Sequence, residues 1–253
     1  TMQLRILGCS GGIGGGNHTS AFLLDDSVLI DAGTGVSLLA FEELLRIEHV
    51  FVSHAHFDHI ASLPTLLDTV NGRPGRTITV HASAATIADL REHVFNWRIW
   101  PDFSQIPTPE NARLRFAPIE TGETHEAAGC RITALPAVHA VPAQAFRLDS
   151  GHASVIYSGD STGGDAFWAE VNAAGNLAAL IIETAFPDRE AALAQIAQHL
   201  CPATLQRELA RLARPAEILI THLKPADSDL IMQEIAARGL PARRLLAGEV
   251  IEF

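Results

Sequence analysis

Short apolar segments alternate with glycine-rich or polar turns along most of the chain. Where apolar residues run together or alternate over four to eight positions, the pattern predicts buried strands. In the first half these are residues 2–7, 19–24, 28–30, 49–52 and 77–81. Apolar residues at helical spacing predict helices at 36–46, 59–67 and 84–94. The first half is therefore predicted to mix strands and helices.

The second half repeats this organisation. Strands are predicted at 114–116, 130–135, 143–148, 154–158, 217–221 and 244–251, and helices at 189–199, 202–212 and 228–238. No low-complexity segment or linker separates the two halves. Because each half has short strands and flanking helices, we predict an α/β fold of the αββα type. In this fold two sheets form a sandwich with helices on both outer faces, here as a single domain over residues 1–253.

Composition narrows the possible partners. Hydrophobic residues make up 47% of the 253 residues, the net charge is -11 and the pI is about 5.5. An acidic chain argues against an extended nucleic-acid surface, which needs clustered Lys and Arg. No apolar run reaches the roughly 18 residues of a membrane span, and the N-terminus shows no charged leader. We therefore expect a cytoplasmic protein with a small anionic substrate and no membrane partner, and a homodimer is compatible with the sequence.

The motif His54-x-His56-x-Asp58-His59 follows the apolar segment 49–52 directly. Residues two apart share one side of an extended chain, so His54 and His56 can bind one metal ion if the chain is still extended there. Asp58 and His59 lie where a helix begins and point elsewhere, which suggests a second metal ion close by. Asp31, after segment 28–30, either orients a metal ligand or caps a turn.

Further candidate ligands follow other predicted strands. His139 comes after residues 132–138, Asp160 after 155–159, and His222 after 218–221. A single histidine at a strand end is more often a hydrogen-bonded residue than a ligand. Three such residues in a chain that also carries the dense motif favour a dinuclear site.

With these residues, the chain resembles the metallo-β-lactamase superfamily over essentially its whole length. The resemblance implies two divalent metal ions, usually Zn²⁺, although Mn²⁺ or Fe²⁺ also suit His and Asp ligands. It implies that His54, His56 and His139 bind one ion, that Asp58, His59 and His222 bind the other, and that Asp160 bridges them.

Within the superfamily, the C-terminal part resembles the class II 3′,5′-cyclic-nucleotide phosphodiesterases. The similarity lies in Ile182-Glu183-Thr184-Ala185-Phe186-Pro187, His199-Leu200-Cys201-Pro202 and Ile220-Thr221-His222-Leu223-Lys224-Pro225. It departs from the expected pattern at Gln198, where glycine is expected, and at Cys201, where threonine is expected. The resemblance implies hydrolysis of the 3′ ester bond of cyclic AMP or cyclic GMP to a 5′-nucleotide by a bridging hydroxide.

Three residues are candidates for catalysis. Asp58 is a candidate to accept a proton from the nucleophile. His199, by its match to the related families, is a candidate to protonate the leaving 3′-oxygen, and the alternative is a histidine that caps a helix end. Lys224 either binds phosphate as a point charge or is a solvated lysine before a proline turn.

Two irregular segments leave alternatives open. The glycine-rich residues 8–16 lack the lysine of a phosphate-binding loop and precede a predicted strand, which favours a loop between strands near the site rim. Residues 95–103 carry two of the three tryptophans. They form either a lid on which a flat ring stacks or a loop held by its own apolar side chains.

Three other functions are compatible with the sequence. A tRNA 3′-processing ribonuclease of the same superfamily is the main alternative, but Ile182 stands where its catalytic histidine is expected, and no basic arm is visible. A hydrolase of lactams or thioesters and a non-catalytic binding protein are the remaining possibilities.

Overall fold

The computed structural model describes residues 1–72 and 75–253, and two seven-stranded sheets form its centre. The first sheet has the order β14-β1-β2-β3-β4-β5-β6 and the second the order β13-β12-β11-β10-β9-β8-β7. The strands of the first sheet are β1 Gln3–Gly8, β2 Ala21–Leu24, β3 Val28–Ile30, β4 His49–Phe51, β5 Ile78–Ala82, β6 Leu114–Pro118 and β14 Val250–Glu252. Those of the second are β7 Thr124–Ala127, β8 Cys130–Pro136, β9 Gln144–Asp149, β10 Ser154–Tyr157, β11 Leu177–Glu183, β12 Glu217–Thr221 and β13 Ala242–Arg244.

Helices cover the outer face of each sheet. The α-helices of the described residues are α1 Phe41–Leu44, α2 Phe57–Ile60, α3 Leu63–Val70, α4 Ala84–His93, α5 Asp165–Ala173, α6 Ala191–Ala197, α7 Pro202–Leu209 and α8 Ser228–Ala237. Leu67 of α3 and Leu90 of α4 pack with Val50 of β4 in a core outside the first sheet. Trp168 of α5 and Ile231 of α8 belong to the equivalent core outside the second sheet.

A third core lies between the two sheets. Phe22 and Phe51 of the first sheet meet Phe146 and Tyr157 of the second there, and all four side chains are buried. Alternate residues of a strand point to opposite faces. Val50, which precedes Phe51 in β4, and its pairing partner Val80 in β5 therefore reach the helix-covered core instead. The predicted αββα sandwich is confirmed.

Two predicted helices are each divided into two short elements in the structure. Residues 36–46 form a 3₁₀ turn, Thr34–Leu38, and then α1, because Leu39 and Ala40 adopt extended backbone and break the helix. Residues 59–67 are divided between α2 and α3. Pro64 lies at the start of α3, where its missing N–H costs no hydrogen bond.

The prediction of one terminal strand at 244–251 is wrong. Residues 242–244 join the second sheet as β13, and residues 250–252 join the first as β14. Gly248, at φ +89°, lies in the turn between them, in backbone geometry that favours glycine. The sequence patterns also missed β7, α5 and β11. The turn predicted at 71–76 lies partly outside the described residues, because residues 73 and 74 are not described.

The aromatic segment 95–103 is held mainly by burial. Phe95 and Phe103 are 2% and 1% exposed and belong to the core over the first sheet, and Trp100 packs against that core. Trp97 and Ile99, by contrast, are exposed. The segment thus matches the loop held by its own side chains, with Trp97 left at the surface. Along the described chain, no helix is both long and apolar enough to cross a bilayer.

Candidate metal centre

The seven side chains predicted as metal ligands converge at one edge of the sandwich. β3 and β4 run parallel in the first sheet, and β10, β11 and β12 run parallel in the second. The segments that follow these strands therefore meet at the carboxyl ends, where open α/β sheets commonly bind ligands. The donor atoms fall into two groups, and the atoms of each group lie within 4.8 Å of one another. The groups are His54, His56, His139 and Asp160, and Asp58, His59, Asp160 and His222.

The first group joins the β4 motif to the second sheet. His54 and His56 precede α2 on a segment that is extended at His56, as the spacing argument required. His139 follows β8, and its Nε2 lies 3.2 Å from His56 Nδ1. Asp160 Oδ2 lies 3.5 Å from His54 Nε2 and 3.9 Å from His139 Nε2. Three imidazoles and one carboxylate oxygen thus surround one point.

The second group takes Asp58 and His59 from the first turn of α2 and adds Asp160 and His222. Asp160 Oδ2 lies 3.3 Å from His59 Nε2, and its Oδ1 lies 3.3 Å from His222 Nδ1. Asp58 Oδ2 completes the group at 3.6 Å from His222 Nε2 and 3.8 Å from His59 Nε2. His222 has φ +62°, so its backbone is held in the left-handed region that non-glycine residues seldom occupy. Asp160 alone belongs to both groups.

The donor atoms of these groups fit divalent metal ions. Among the described residues, His54 Nε2, His59 Nε2, Asp160 Oδ1 and His222 Nδ1 are buried and have no hydrogen-bond partner. Buried polar atoms without partners carry a free-energy cost of about 1–3 kcal/mol each. Here four such atoms belong to the two groups of imidazole and carboxylate donors, and this set of donors suits Zn²⁺ and similar ions. Metal binding is the arrangement that would satisfy them together.

Neighbouring groups fix the direction of the imidazoles through their other nitrogen atom. His59 Nδ1 lies 2.7 Å from Asp31 Oδ2, and His54 Nδ1 lies 3.0 Å from Ser53 Oγ. His139 Nδ1 lies 3.1 Å from the carbonyl oxygen of Gln198. Each contact holds Nδ1, so the Nε2 atom of the same ring points toward the cluster. Orienting the ring in this way is the usual role of groups that contact metal-binding histidines.

Asp31 is the centre of this support. It is fully buried at the end of β3 and has φ +56°. Its carboxylate accepts hydrogen bonds from Ser53 N at 2.7 Å, Ser53 Oγ at 2.9 Å and Tyr157 Oη at 2.9 Å, in addition to His59. The alternative that Asp31 orients a ligand is therefore the one that the contacts favour. Sequence reasoning missed Ser53 and Tyr157, because neither lies in a recognisable pattern.

Replacing Asp31 with asparagine is expected to weaken metal binding without removing a ligand. An amide cannot accept all four hydrogen bonds as the carboxylate does, so the ring of His59 loses its orientation. Such supporting contacts are commonly worth about 10–100-fold in metal affinity. Competition with a chromophoric chelator measures that affinity, with Asp68→Asn on the exposed side of α3 as the matched control. An unchanged affinity would mean that Asp31 only stabilises the turn.

The electrostatics of the cluster favour a bound cation. Burial lowers the pKa values of His54, His56 and His139, and it lowers that of His222 to about 4. Burial alone would raise the pKa of Asp160, but the nearby His222 and His59 hold it well below its usual range. These four histidines are therefore neutral and the bridging carboxylate is ionised at neutral pH, as metal binding requires. His59 differs, because burial would lower its pKa but the Asp160 and Asp31 carboxylates raise it well above the ordinary value, so this ring must release a proton when it binds a metal ion.

His199 lies against the cluster and is paired with a carboxylate. Its ring centroid lies 4.9 Å from that of His139 and 5.3 Å from that of His222. Its Nδ1 lies 2.8 Å from Oε1 of Glu183, a fully buried residue at the end of β11. Burial would lower the pKa of His199, but the Glu183 carboxylate raises it above the ordinary value. The role of Glu183 was missed, although a carboxylate ending an apolar strand was a usable signal.

Gln198, where the resemblance predicts glycine, occupies the left-handed end of α6 at φ +54°. Glycine adopts this geometry without strain, which explains the expectation. The carbonyl group of Gln198 still accepts the hydrogen bond of His139, so the departure leaves the site geometry in place.

Lys224 and the glycine-rich loop both lie close to the candidate cluster. Lys224 Nζ lies 5.1 Å from the ring centroid of Phe186, and the ring of His199 lies 5.7 Å from the same centroid. Gly11 lies in the loop between β1 and β2, where a Cβ atom would come within 2.6 Å of the His222 carbonyl oxygen. This loop therefore connects two strands, as predicted, and packs closely behind a candidate ligand.

A four-layer αββα sandwich with a buried His and Asp cluster at the strand ends is the architecture of a metallo-hydrolase. Residues 26–223 match the family model described as the beta-lactamase superfamily domain, and the chain belongs to that family.

Several individual proteins are also similar to this chain. The chain is 28% identical to a probable 3′,5′-cyclic-nucleotide phosphodiesterase of Yersinia pestis, over 88% of this chain and 78% of the relative. It is 32% identical to a ribonuclease Z of Kineococcus radiotolerans, over 53% of this chain and 42% of that protein. The crystal structure of unliganded yeast PDE1 superposes with a TM-score of 0.83 at 18% identity and covers 98% of both chains. That last likeness concerns the fold.

Proposed function

We propose that this metallo-hydrolase is a phosphodiesterase that cleaves the 3′ ester bond of 3′,5′-cyclic nucleotides to give 5′-nucleotides. The observation that carries the proposal is the His199–Glu183 pair, placed directly against the candidate metal cluster. A ribose 3′-oxygen is a poor leaving group unless it receives a proton. A histidine held by a buried carboxylate beside the cluster supplies that proton.

His199 is oriented for this role by its contacts. Glu183 holds the Nδ1 atom at 2.8 Å, which leaves Nε2 for the substrate. Glu183 is itself fixed, because the backbone N–H groups of Ser161 and Leu200 donate to its two oxygens at 3.2 Å. The side chain of His199 is only 10% exposed, so a proton transfer there is shielded from bulk water. The pair thus meets the geometric requirement for a general acid.

Two divalent ions bound in the cluster, with Zn²⁺ as the first candidate, would supply Lewis acidity and lower the pKa of an attacking water toward about 7. Asp58 is the cluster member placed to take the proton of that water. Its side chain is 32% exposed, whereas those of His59, Asp160 and His222 are 0–3% exposed. It therefore faces the side from which water and substrate enter.

Charge supports a small anionic substrate. Lys224 and His199 contact the same ring of Phe186, so two cationic groups lie close together beside the cluster. The chain as a whole has a net charge of -11. A local positive site in an acidic protein attracts a compact phosphodiester better than a long polyanion, which would also meet the acidic surface.

A tRNA 3′-processing ribonuclease is the second candidate. It is favoured by the ribonuclease Z relative, which shares 32% identity over about half of this chain. It is opposed by Ile182 at the position of the expected histidine and by the acidic charge. Cyclic-nucleotide hydrolysis therefore accounts better for these residues.

Product analysis tests the proposal. The metal-loaded protein is incubated with cyclic AMP, cyclic GMP, 2′,3′-cyclic AMP and pre-tRNA under matched Zn²⁺ and Mn²⁺ conditions, and products are separated by chromatography. Formation of 5′-AMP or 5′-GMP supports the proposal. Cleavage of pre-tRNA alone would establish the ribonuclease.

Turnover only of lactams or thioesters in a parallel panel would overturn phosphodiester chemistry. Inactivity toward all of these and toward bis(p-nitrophenyl) phosphate, with metal bound, would indicate a binding protein.

A further inference from the structure

Three other imidazoles meet between the sheets, outside the candidate metal cluster. His49 is the first residue of β4, His81 lies in β5, and His125 lies in β7, the edge strand of the second sheet. Neither the phosphodiesterase proposal nor the resemblance assigns them a role. We call these three residues the inter-sheet histidines.

Strand register explains how they come together. His49 and Phe51 are two residues apart and share a face of β4, and His81 is paired with Phe51 across the parallel β4–β5 ladder. This face points into the core between the sheets, where Phe51 is buried. His125 pairs with Ile132 of β8, which belongs to the same core, so the second sheet presents it toward the first.

The geometry of the three rings suits a shared ion. His49 Nδ1 lies 2.9 Å from His81 Nε2, and one donor nitrogen from each of the three rings lies within 4.8 Å of the others. Ring centroids of His81 and His125 are 4.3 Å apart, and those of His49 and His125 are 5.6 Å apart. Nitrogen atoms that bind one tetrahedral Zn²⁺ at about 2.0–2.1 Å lie about 3.3 Å apart, so small ring rotations suffice.

The surroundings hold one ring rigidly and leave an approach open. Phe51 stacks on His81 with centroids 4.4 Å apart and an interplanar angle of 11°, and His81 is 2% exposed. A cavity of about 410 Å³ is lined by His81 and His125 together with Ile119 and Glu123, from the segment between β6 and β7. An ion can enter through it, and water or a small anion can occupy a fourth coordination position.

We propose that His49, His81 and His125 form a further metal site that binds a borderline divalent ion such as Zn²⁺ through three imidazoles, independently of the catalytic cluster. Imidazole nitrogen is a preferred ligand of Zn²⁺, Cu²⁺ and Ni²⁺. Because the ligands come from both sheets, binding joins the edge strand β7 to β4 and β5. The bound ion therefore stabilises the sandwich at this edge, since a ligand that binds the folded state alone raises stability.

Metal counting under equilibrium dialysis tests the site. The probe is Zn²⁺ at fixed free concentrations, and bound metal is measured by mass spectrometry for the wild type, for His125→Gln and for His152→Gln, an exposed histidine that serves as the matched control. We expect His125→Gln to bind one ion fewer than the wild type and the control. We also expect a smaller rise of Tm with Zn²⁺ for His125→Gln and hydrolytic activity within about twofold of the wild type.

Equal stoichiometry and equal Zn²⁺-dependent Tm in His125→Gln and wild type would show that the three rings form only a hydrogen-bonded cluster. Should His125→Gln fail to fold, wild-type crystals grown with Zn²⁺ decide the question by anomalous diffraction at the zinc edge. A peak between the three rings supports the site. A map with peaks at the catalytic cluster and none here overturns it, whatever substrate the cluster hydrolyses.

Discussion

An Asp160→Asn variant is expected to lose bound metal and hydrolytic activity together. Asp160 is the one residue shared by the two donor groups, and its oxygens lie 3.3–3.9 Å from nitrogen atoms of His54, His59, His139 and His222. The amide removes the negative charge that two neighbouring cations require. We expect kcat/KM to fall by at least about 10²–10³-fold, the scale lost with one preorganised electrostatic contact. Metal content should fall by one to two ions per chain.

Mass spectrometry of bound metal and a bis(p-nitrophenyl) phosphate assay measure these effects on the same preparation. Asp68→Asn serves as the control, because its exposed side chain lies on α3, outside both groups. Circular dichroism verifies that the variant is folded. Full retention of metal at wild-type affinity would mean that the two groups do not form a dinuclear centre.

A His199→Gln variant should separate proton donation from metal binding. Glutamine can contact Glu183 but cannot deliver a proton to the leaving 3′-oxygen. General acid catalysis typically contributes about 10²–10⁴-fold, and we expect a loss of that size in kcat for cyclic AMP. For bis(p-nitrophenyl) phosphate the loss should be much smaller, because p-nitrophenolate leaves without protonation. Metal content should stay at the wild-type value.

The two substrates are compared on one preparation, with His152→Gln as a surface control. Equal losses on both substrates, or loss of metal, would indicate that His199 only supports the ring of His139, which lies 4.9 Å away. A Glu183→Gln variant adds a positioning test. It should reproduce the substrate dependence of His199→Gln in weaker form, since the histidine itself stays in place.

Local patterns predicted the fold class because apolar periodicity reports which faces are buried. The patterns failed where tertiary contacts, and not the local spacing of apolar residues, decided the conformation. Residues 36–46 have helical spacing, yet extended backbone at Leu39 and Ala40 divides them. Residues 244–251 look like one strand, yet its two ends pair with different sheets. Short segments of this kind have too few local interactions to determine their own conformation.

The sequence by itself predicted that the dense motif divides into two pairs of candidate ligands, because the change from extended chain to helix within 54–59 is a local property. It also indicated His139, Asp160 and His222 through their places after strands. The family resemblance implied that Asp160 bridges the two groups, and its oxygens lie between them in the structure. Only the tertiary structure decided that Glu183 holds His199 and that Tyr157 and Ser53 hold Asp31. These contacts, like those of the inter-sheet histidines, join residues brought together by strand order and register. No local pattern encodes that information.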